Sequence, residues 1–338
     1  MPGFRLGPLR PTLLRTGRGL RFAAISVVIA VFAVGCKTPG DAAAAATQLS
    51  ATASMLTGYY AALDTLLSET DQLYQIQAAI NPVAPYDTQT KNYVTDTAAE
   101  IEKREKVAAA LTTLAQEFAK LSGSTASTDA STAAGNLESA VAGLKLSSVS
   151  MSASNVNLMK DAVDLIVKAA QEHKERETAD SIDKFTAALD TWFKSEEPYY
   201  NSIGATYANL TQSLALALIA QGQVDPSSFL AAVFSPYGLT PQITDPALKS
   251  KVQAVMIAQV DQKSAALATA QQNATTSMEK SLTEMASRIH LVATDKPMAI
   301  RAAPITLAQV QSWISLVPQI APAAASAQSS SASTTKSN

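Results

Sequence analysis

Leu49–Ile80 reads LSATASMLTGYYAALDTLLSETDQLYQIQAAI, and its apolar spacing decides the fold. Leu49, Leu56 and Leu63 recur every seven residues beside a second series at the same interval, Tyr59, Leu66, Leu73 and Ile80. The two series lie on one side of a helix and make a continuous apolar seam. A helix with such a seam must bury it against another element. Asn81-Pro82 stops the helix, and the connection to Pro85 is so short that the next helix has to return antiparallel. Asp87 is placed to cap that second helix. It is expected to run to about Leu121, burying Val94, Ile101, Leu111, Leu114, Phe118 and Leu121 and carrying a mixed-charge run from Glu100 to Lys106. Residues 49–121 therefore read as an N-terminal helical hairpin.

Beyond it, residues 122–154 turn to Ser, Thr, Ala and Gly and read as a linker or loosely packed loop, with at most a short helix around Leu137 to Leu146. Residues 155–320 hold the remaining helices. A third helix begins near Asn155 and is expected to run unbroken to Glu197, where Pro198 ends or kinks it. A fourth reaches Gln221, with Gly222 suited to its C-terminus. Asp225-Pro226 and Asp245-Pro246 each read as a capping carboxylate followed by proline in the first turn, where its missing N–H costs nothing. They open a short helix to Phe234 and a long one to about Leu291, whose Met278, Leu282, Met285, Ile289 and Val292 form one face. Thr306 and Gln309 form a capping-box pattern for a last helix, Leu307 to Val317, ended by Pro318 and Pro322. Residues 321–338 are nearly all Ser, Ala and Thr and are expected to be a disordered tail.

The expected fold is all-α: an elongated antiparallel bundle of long, partly coiled-coil-like helices, roughly 35 to 45 residues each and about 50 to 65 Å long.

The N-terminus carries an address. Five arginines and no acid precede thirteen residues, Phe22 to Val34, that are apolar apart from Ser26; Gly35 and the chain's one cysteine, Cys36, follow. This is a signal-peptide layout. As a helix, the apolar run would span about 20 Å against about 30 Å of hydrocarbon, too short for a comfortable transmembrane anchor. Ala33-Val34-Gly35-Cys36 resembles the lipobox of bacterial lipoproteins, with Ala33 where leucine is commoner. The resemblance implies that residues 1–35 are a lipoprotein signal peptide, that Cys36 is the lipid-attachment residue, acylated with palmitate, and that residues 36–48 form a tether and helix start. By the sorting pattern of such lipoproteins, Lys37 after the cysteine points to the outer membrane, facing the periplasm.

Removing residues 1–35 takes five of the 26 basic residues and none of the 28 acids, so the mature chain carries −7. That charge argues against nucleic acid or an anionic bilayer as a charge-driven partner. With one cysteine there is no intrachain disulfide, and the fold must rest on packing.

Catalytic templates are lacking. The sequence has two histidines, His173 and His290, and no G-x-S-x-G, phosphate loop, H-E-x-x-H or paired Glu-x-x-His. His173 and Glu177 share a helical face, but two ligands are too few to hold a metal alone, and the run Gln171–Glu177 reads as a solvated, ion-paired surface. No catalytic residue, metal ligand or cofactor is expected beyond the covalent lipid on Cys36. Trp192, Phe193, Tyr199, Tyr200 and Tyr207 crowd around Pro198 and read as filling a gap in the bundle, although such groups can also anchor a partner. The function expected is a non-enzymatic scaffold, spacer or binding partner on a lipid tether, engaging another envelope protein. A carrier or sensor of a small apolar ligand would instead need an opening bundle core, and an enzyme a polar cleft assembled from separate helices.

Overall fold

The computed structural model describes residues 39–81, 86–121, 127–144, 153–171, 175–294 and 307–320. All of its regular structure is helical. The α-helices are α1 Pro39–Ile80, α2 Thr88–Leu121, α3 Ser127–Ala142, α4 Ala153–Gln171, α5 Glu175–Ala220, α6 Pro226–Phe234, α7 Pro246–Ala293 and α8 Ala308–Ile320, and a single 3-10 turn, Ser235–Tyr237, follows α6. An all-α bundle is thus what the chain builds.

The seam of α1 explains the arrangement. Leu49, Leu56, Tyr59, Leu63 and Leu66 are completely or almost completely buried, whereas Leu73 and Ile80 are only partly covered. α1 packs on α2, α5, α7 and α8, while α2 packs on α3, α3 on α4, α4 on α5 and α5 on α7. One continuous hydrophobic core joins α1, α2, α3, α4, α5, α7 and α8. In it Met278, Leu282, Met285 and Ile289 of α7 are buried along one face, as their spacing requires.

Helix ends follow local chemistry. Asp87 Oδ1 accepts from the Thr90 N–H at 2.7 Å, Asp225 Oδ1 from Ser227 N–H at 2.9 Å, and Asp245 Oδ1 from Ala247 N–H at 3.0 Å. Each satisfies a donor that the first turn leaves unpaired. At the C-terminus of α5, Gly222 takes a φ of +69°. Its N–H donates to Ile219 O, and the Gln223 N–H donates to Leu218 O, the paired bonds of a glycine-terminated helix.

Three expectations are corrected. Residues 122–154 are not simply a linker or loop: α3 lies within them and buries Ala130, Ala133, Ala134, Leu137 and Val141 in the common core. Small residues do not prevent packing; they let backbones approach closely. The helix expected from Asn155 to Glu197 is two helices, α4 and α5, packed on each other, so both apolar faces are covered where one continuous rod would leave them apart.

The prolines are the third: of the two outcomes expected at Pro198, an end or a kink, the helix does not end there, and Pro318 does not end the last helix. Pro198 lies inside α5 and Pro318 inside α8, and both rings are exposed. On the solvent side, the carbonyl freed by the missing N–H is open to water, and packing on both sides of Pro198 (Trp192, Phe193, Tyr200 and Ile203 are buried) offsets the roughly 3 kcal/mol such a proline costs. Thr306 of the expected capping box, the tail 321–338 and the side chains of Phe118 and Leu121 lie outside the described residues.

α5 and α7 run antiparallel in a register fixed by polar contacts: Gln212 Nε2 to Asp261 Oδ1 at 2.8 Å, Ser264 Oγ to Ala208 O at 3.0 Å, Thr283 Oγ1 to Asp190 Oδ1 at 2.8 Å, and His290 Nδ1 with Asp183 Oδ2 at 2.9 Å. Between the second and third of these, the side chain of Gln271 lies against Gly204. A Cβ on Gly204 would lie 1.4 Å from Gln271 Oε1, and Gln271 is itself buried. At Gly58 of α1, an added Cβ would meet only the tip of the Ile314 side chain, at 2.9 Å.

Gly204→Ala is therefore expected to lower stability by about 1 to 3 kcal/mol, because displacing a buried, hydrogen-bonded amide outweighs the roughly 1 kcal/mol gained in helix propensity. Gly58→Ala should be close to neutral. Urea unfolding of both variants checks this; equal effects would contradict the seating of Gln271 against Gly204.

Candidate functional site

The mixed-charge run of α2 contains the one feature its sequence conceals. Arg104 is completely buried, as is Glu196 on α5. The guanidinium meets the Glu196 carboxylate with two bonds, Nε to Oε2 at 2.9 Å and Nη2 to Oε1 at 2.8 Å, the paired geometry that suits a planar donor fork. Nη1 reaches back to the Glu100 carbonyl at 2.7 Å and to Glu100 Oε2 at 3.3 Å. The guanidinium also lies over the faces of Trp192 and Tyr199, with ring centres 5.5 and 5.6 Å from the guanidinium carbon.

Tyrosines extend the network to α1. Tyr200 O–H donates to Glu196 Oε2 at 2.5 Å; a carboxylate only accepts, so the proton direction is fixed. The Tyr200 oxygen is then the acceptor for Tyr60 O–H at 3.1 Å. Beside this relay, Tyr59 O–H donates to Thr275 Oγ1 at 2.8 Å, and Thr275 donates in turn to Gln271 O at 3.1 Å. Gln271 Nε2 donates to the Tyr200 carbonyl. Rings of Tyr59, Tyr60, Phe193 and Tyr200 stack edge-on or tilted at centroid separations of 5.0 to 6.0 Å. Four helices, α1, α2, α5 and α7, thus meet at one polar centre.

Burial governs its titration. It works against the charge of Arg104, but the hydrogen bonds and charge of Glu196 more than offset it and raise the guanidinium above its ordinary value. Burial raises Tyr59 and Tyr60, the latter further through the charge of Glu196, and Tyr200 is raised well above 10 by burial, then by Tyr60 and Glu196. Tyr199 is pushed up to about 12 by burial, with Arg104 opposing. Perturbed groups of this kind mark active sites only when a substrate can reach them. A cleft of about 290 Å³ lies elsewhere, between α7 and α8, and is lined by Ala270, Asn273, Gln309, Ser312, Trp313 and Leu316 among others; none of the network residues lines it.

Of the residues the sequence singled out, Cys36 and His173 lie outside the described residues. His290 is exposed and pairs with Asp183. No group of three or more residues able to hold a metal occurs among the described residues. The aromatic crowd around Pro198 is core: Trp192, Phe193, Tyr200 and Tyr207 are buried. Comparison with known proteins gives no match to a family model, to a curated protein or to a solved structure.

Removing one partner of the ion pair leaves a buried charge alone. Glu196→Ala is expected to cost about 3 to 5 kcal/mol, whereas Arg104→Met with Glu196→Leu should be milder than either single change, because two apolar side chains need no compensation. A double-mutant cycle by chemical denaturation measures this. A double variant as unstable as the sum of the singles would show that the pair is not coupled.

The tyrosines set an alkaline limit. Their folded pKa values lie above the unfolded value near 10, so the unfolded chain binds fewer protons once pH passes 10, and stability falls as pH rises. Each contributes a slope of about 1.4 kcal/mol per pH unit between its unfolded and folded values. Urea midpoints between pH 9 and 12 should drop steeply, and Tyr60→Phe should flatten the drop.

Proposed function

We propose that this chain is a lipid-anchored envelope protein whose helical bundle acts as a non-enzymatic spacer or scaffold for another envelope component. The observation that carries the reading is the internal pairing of its strongest chemistry. Arg104, Glu196, Tyr60 and Tyr200 are turned toward one another in the core, where they lock helices together and present no reactive atom to a substrate. A protein that must hold a distance gains from such locking. The signal-peptide layout and the lipobox-like Ala33-Val34-Gly35-Cys36 support the tether, and Lys37 supports the outer membrane, facing the periplasm.

Cys36→Ser should abolish acylation, because only a thiol accepts the diglyceride. The precursor should then stay uncleaved and held by its apolar segment. Metabolic labelling with radioactive palmitate and gel mobility of the two forms test the tether. Equal labelling of wild type and variant would end this reading.

A further inference from the structure

The end of the bundle where α5 gives way to α6 and α7, its tip, is packed unlike the rest. Its own small core consists of Ile219, Val252 and Met256, separate from the main one. Beside that core runs an uncovered face of α7. Leu248, Val255 and Gln262 recur every seven residues, with Ala258 and Ala265 three positions after the last two, and all five are exposed, Leu248 44% and Val255 57%. Residues at this spacing line one side of a helix, so the face is continuous. Val252 is four residues after Leu248 and three before Val255, which sets this exposed seam along the edge of the buried one.

Charge at this end is sparse and balanced. From Pro198 to Ala270 the charged residues are Asp225, Asp245 and Asp261 with Lys249, Lys251 and Lys263, three of each sign. Asp225 and Asp245 cap helices, and Asp245 lies one turn from Lys249. No net field therefore draws an anionic or a cationic surface here. A contact between two copies makes the opposite demand: a two-fold axis sets a surface against itself, so any net charge on it would repel its own image. A balanced end with an apolar seam meets that demand. Of the lysines, Lys251 lies nearest the seam, three residues after Leu248 and four before Val255, and its long stem lets the ammonium reach water.

The helix arrangement points the same way. Here α7 leans on α5, through the Gln212–Asp261 and Ala208–Ser264 contacts, and on α6, a helix of nine residues. Two long helices and one short one bury a single stripe of α7 and leave the next to water. A four-helix arrangement buries both stripes, and a second copy of the same pair supplies the missing two helices.

We infer that the chain forms a two-fold dimer through this seam, with Val255, midway along it, at the axis against Val255 of the second copy. A single seam of this length falls at the small end of specific interfaces, so the dimer forms in the micromolar range. It does not depend on the tether proposed above.

The full chain is taken in mild detergent with Cys36→Ser, so that neither lipid nor a second thiol contributes. Sedimentation from about 1 to 100 µM should show the protein mass per particle rising from one copy to two and no further. Val255→Lys should raise the dissociation constant roughly tenfold or more, because the new charge meets its own image across the axis. The helical signal in circular dichroism should stay that of the parent, since the residue is exposed. In the same background, Val255→Cys should give a disulfide-linked dimer under mild oxidation. Ile257→Cys should not, although Ile257 is also exposed, because it lies two residues on and so on the opposite side of the helix. A mass that grows beyond two copies, a dimer that survives Val255→Lys, or equal cross-linking at 255 and 257 overturns the proposal. So does a one-copy mass at every concentration, which would leave the seam to a different partner.

Discussion

A single buried charge constrains this bundle more than any other feature. Taking a guanidinium out of water costs several kcal/mol even after relaxation, and Arg104 is recovered only where Glu196, the Glu100 carbonyl and two aromatic faces converge. That convergence requires α2 and α5 at one axial offset. Tyr60 and Tyr200 extend the requirement to α1, and Gln271 extends it to α7. Helices rich in alanine and leucine can slide by a turn or a heptad at little cost in apolar burial, because each register offers similar surfaces. A slid register would strand the charge. The network therefore contributes uniqueness to the fold even if apolar residues in the same places would contribute as much stability.

The glycine at 204 is the necessary companion of that network. The Gln271 amide reaches the Tyr200 carbonyl across the surface of Gly204, and any side chain there would occupy the same space. A residue that weakens an isolated helix thus leaves the space in which the amide of the neighbouring one is seated. Pro198 shows the reverse balance six residues earlier. Its local penalty is tolerated because its ring faces solvent while buried neighbours on the other face hold the helix together.

Local signals were legible in the sequence; long-range ones were not. The aspartate caps at 87, 225 and 245, the glycine terminus at 222, the seam from Leu49 to Leu66 and the buried face from Met278 to Ile289 follow from chemistry within a few residues. Arg104 was hidden because Glu100–Lys106 has the composition of a solvated face, and its partner lies 92 positions away. α3 was missed because Ala130, Ala133 and Ala134 carry little apolar signal individually, though all three are buried. The break between α4 and α5 was missed because both segments favour helix and only their packing on each other requires two. Of the candidate site, sequence reading marked Trp192, Tyr199 and Tyr200 as a packed aromatic group but could not connect them to a charge on α2.

The two ends of the bundle illustrate what packing alone would select. In the middle, each apolar residue has partners from several helices, and exposure approaches zero. Toward the tip, α1 loses coverage after Thr70, with Leu73 and Ile80 only partly buried. Selection for a soluble helical end would place charged residues on the faces so released, as it does on α2. The chain instead keeps Leu216 and Leu218 partly exposed on α5 and Val255 exposed on α7, and adds α6, an almost wholly apolar helix too short to cover them. With only three residues buried in its own cluster, that end has the least packing to resist local opening.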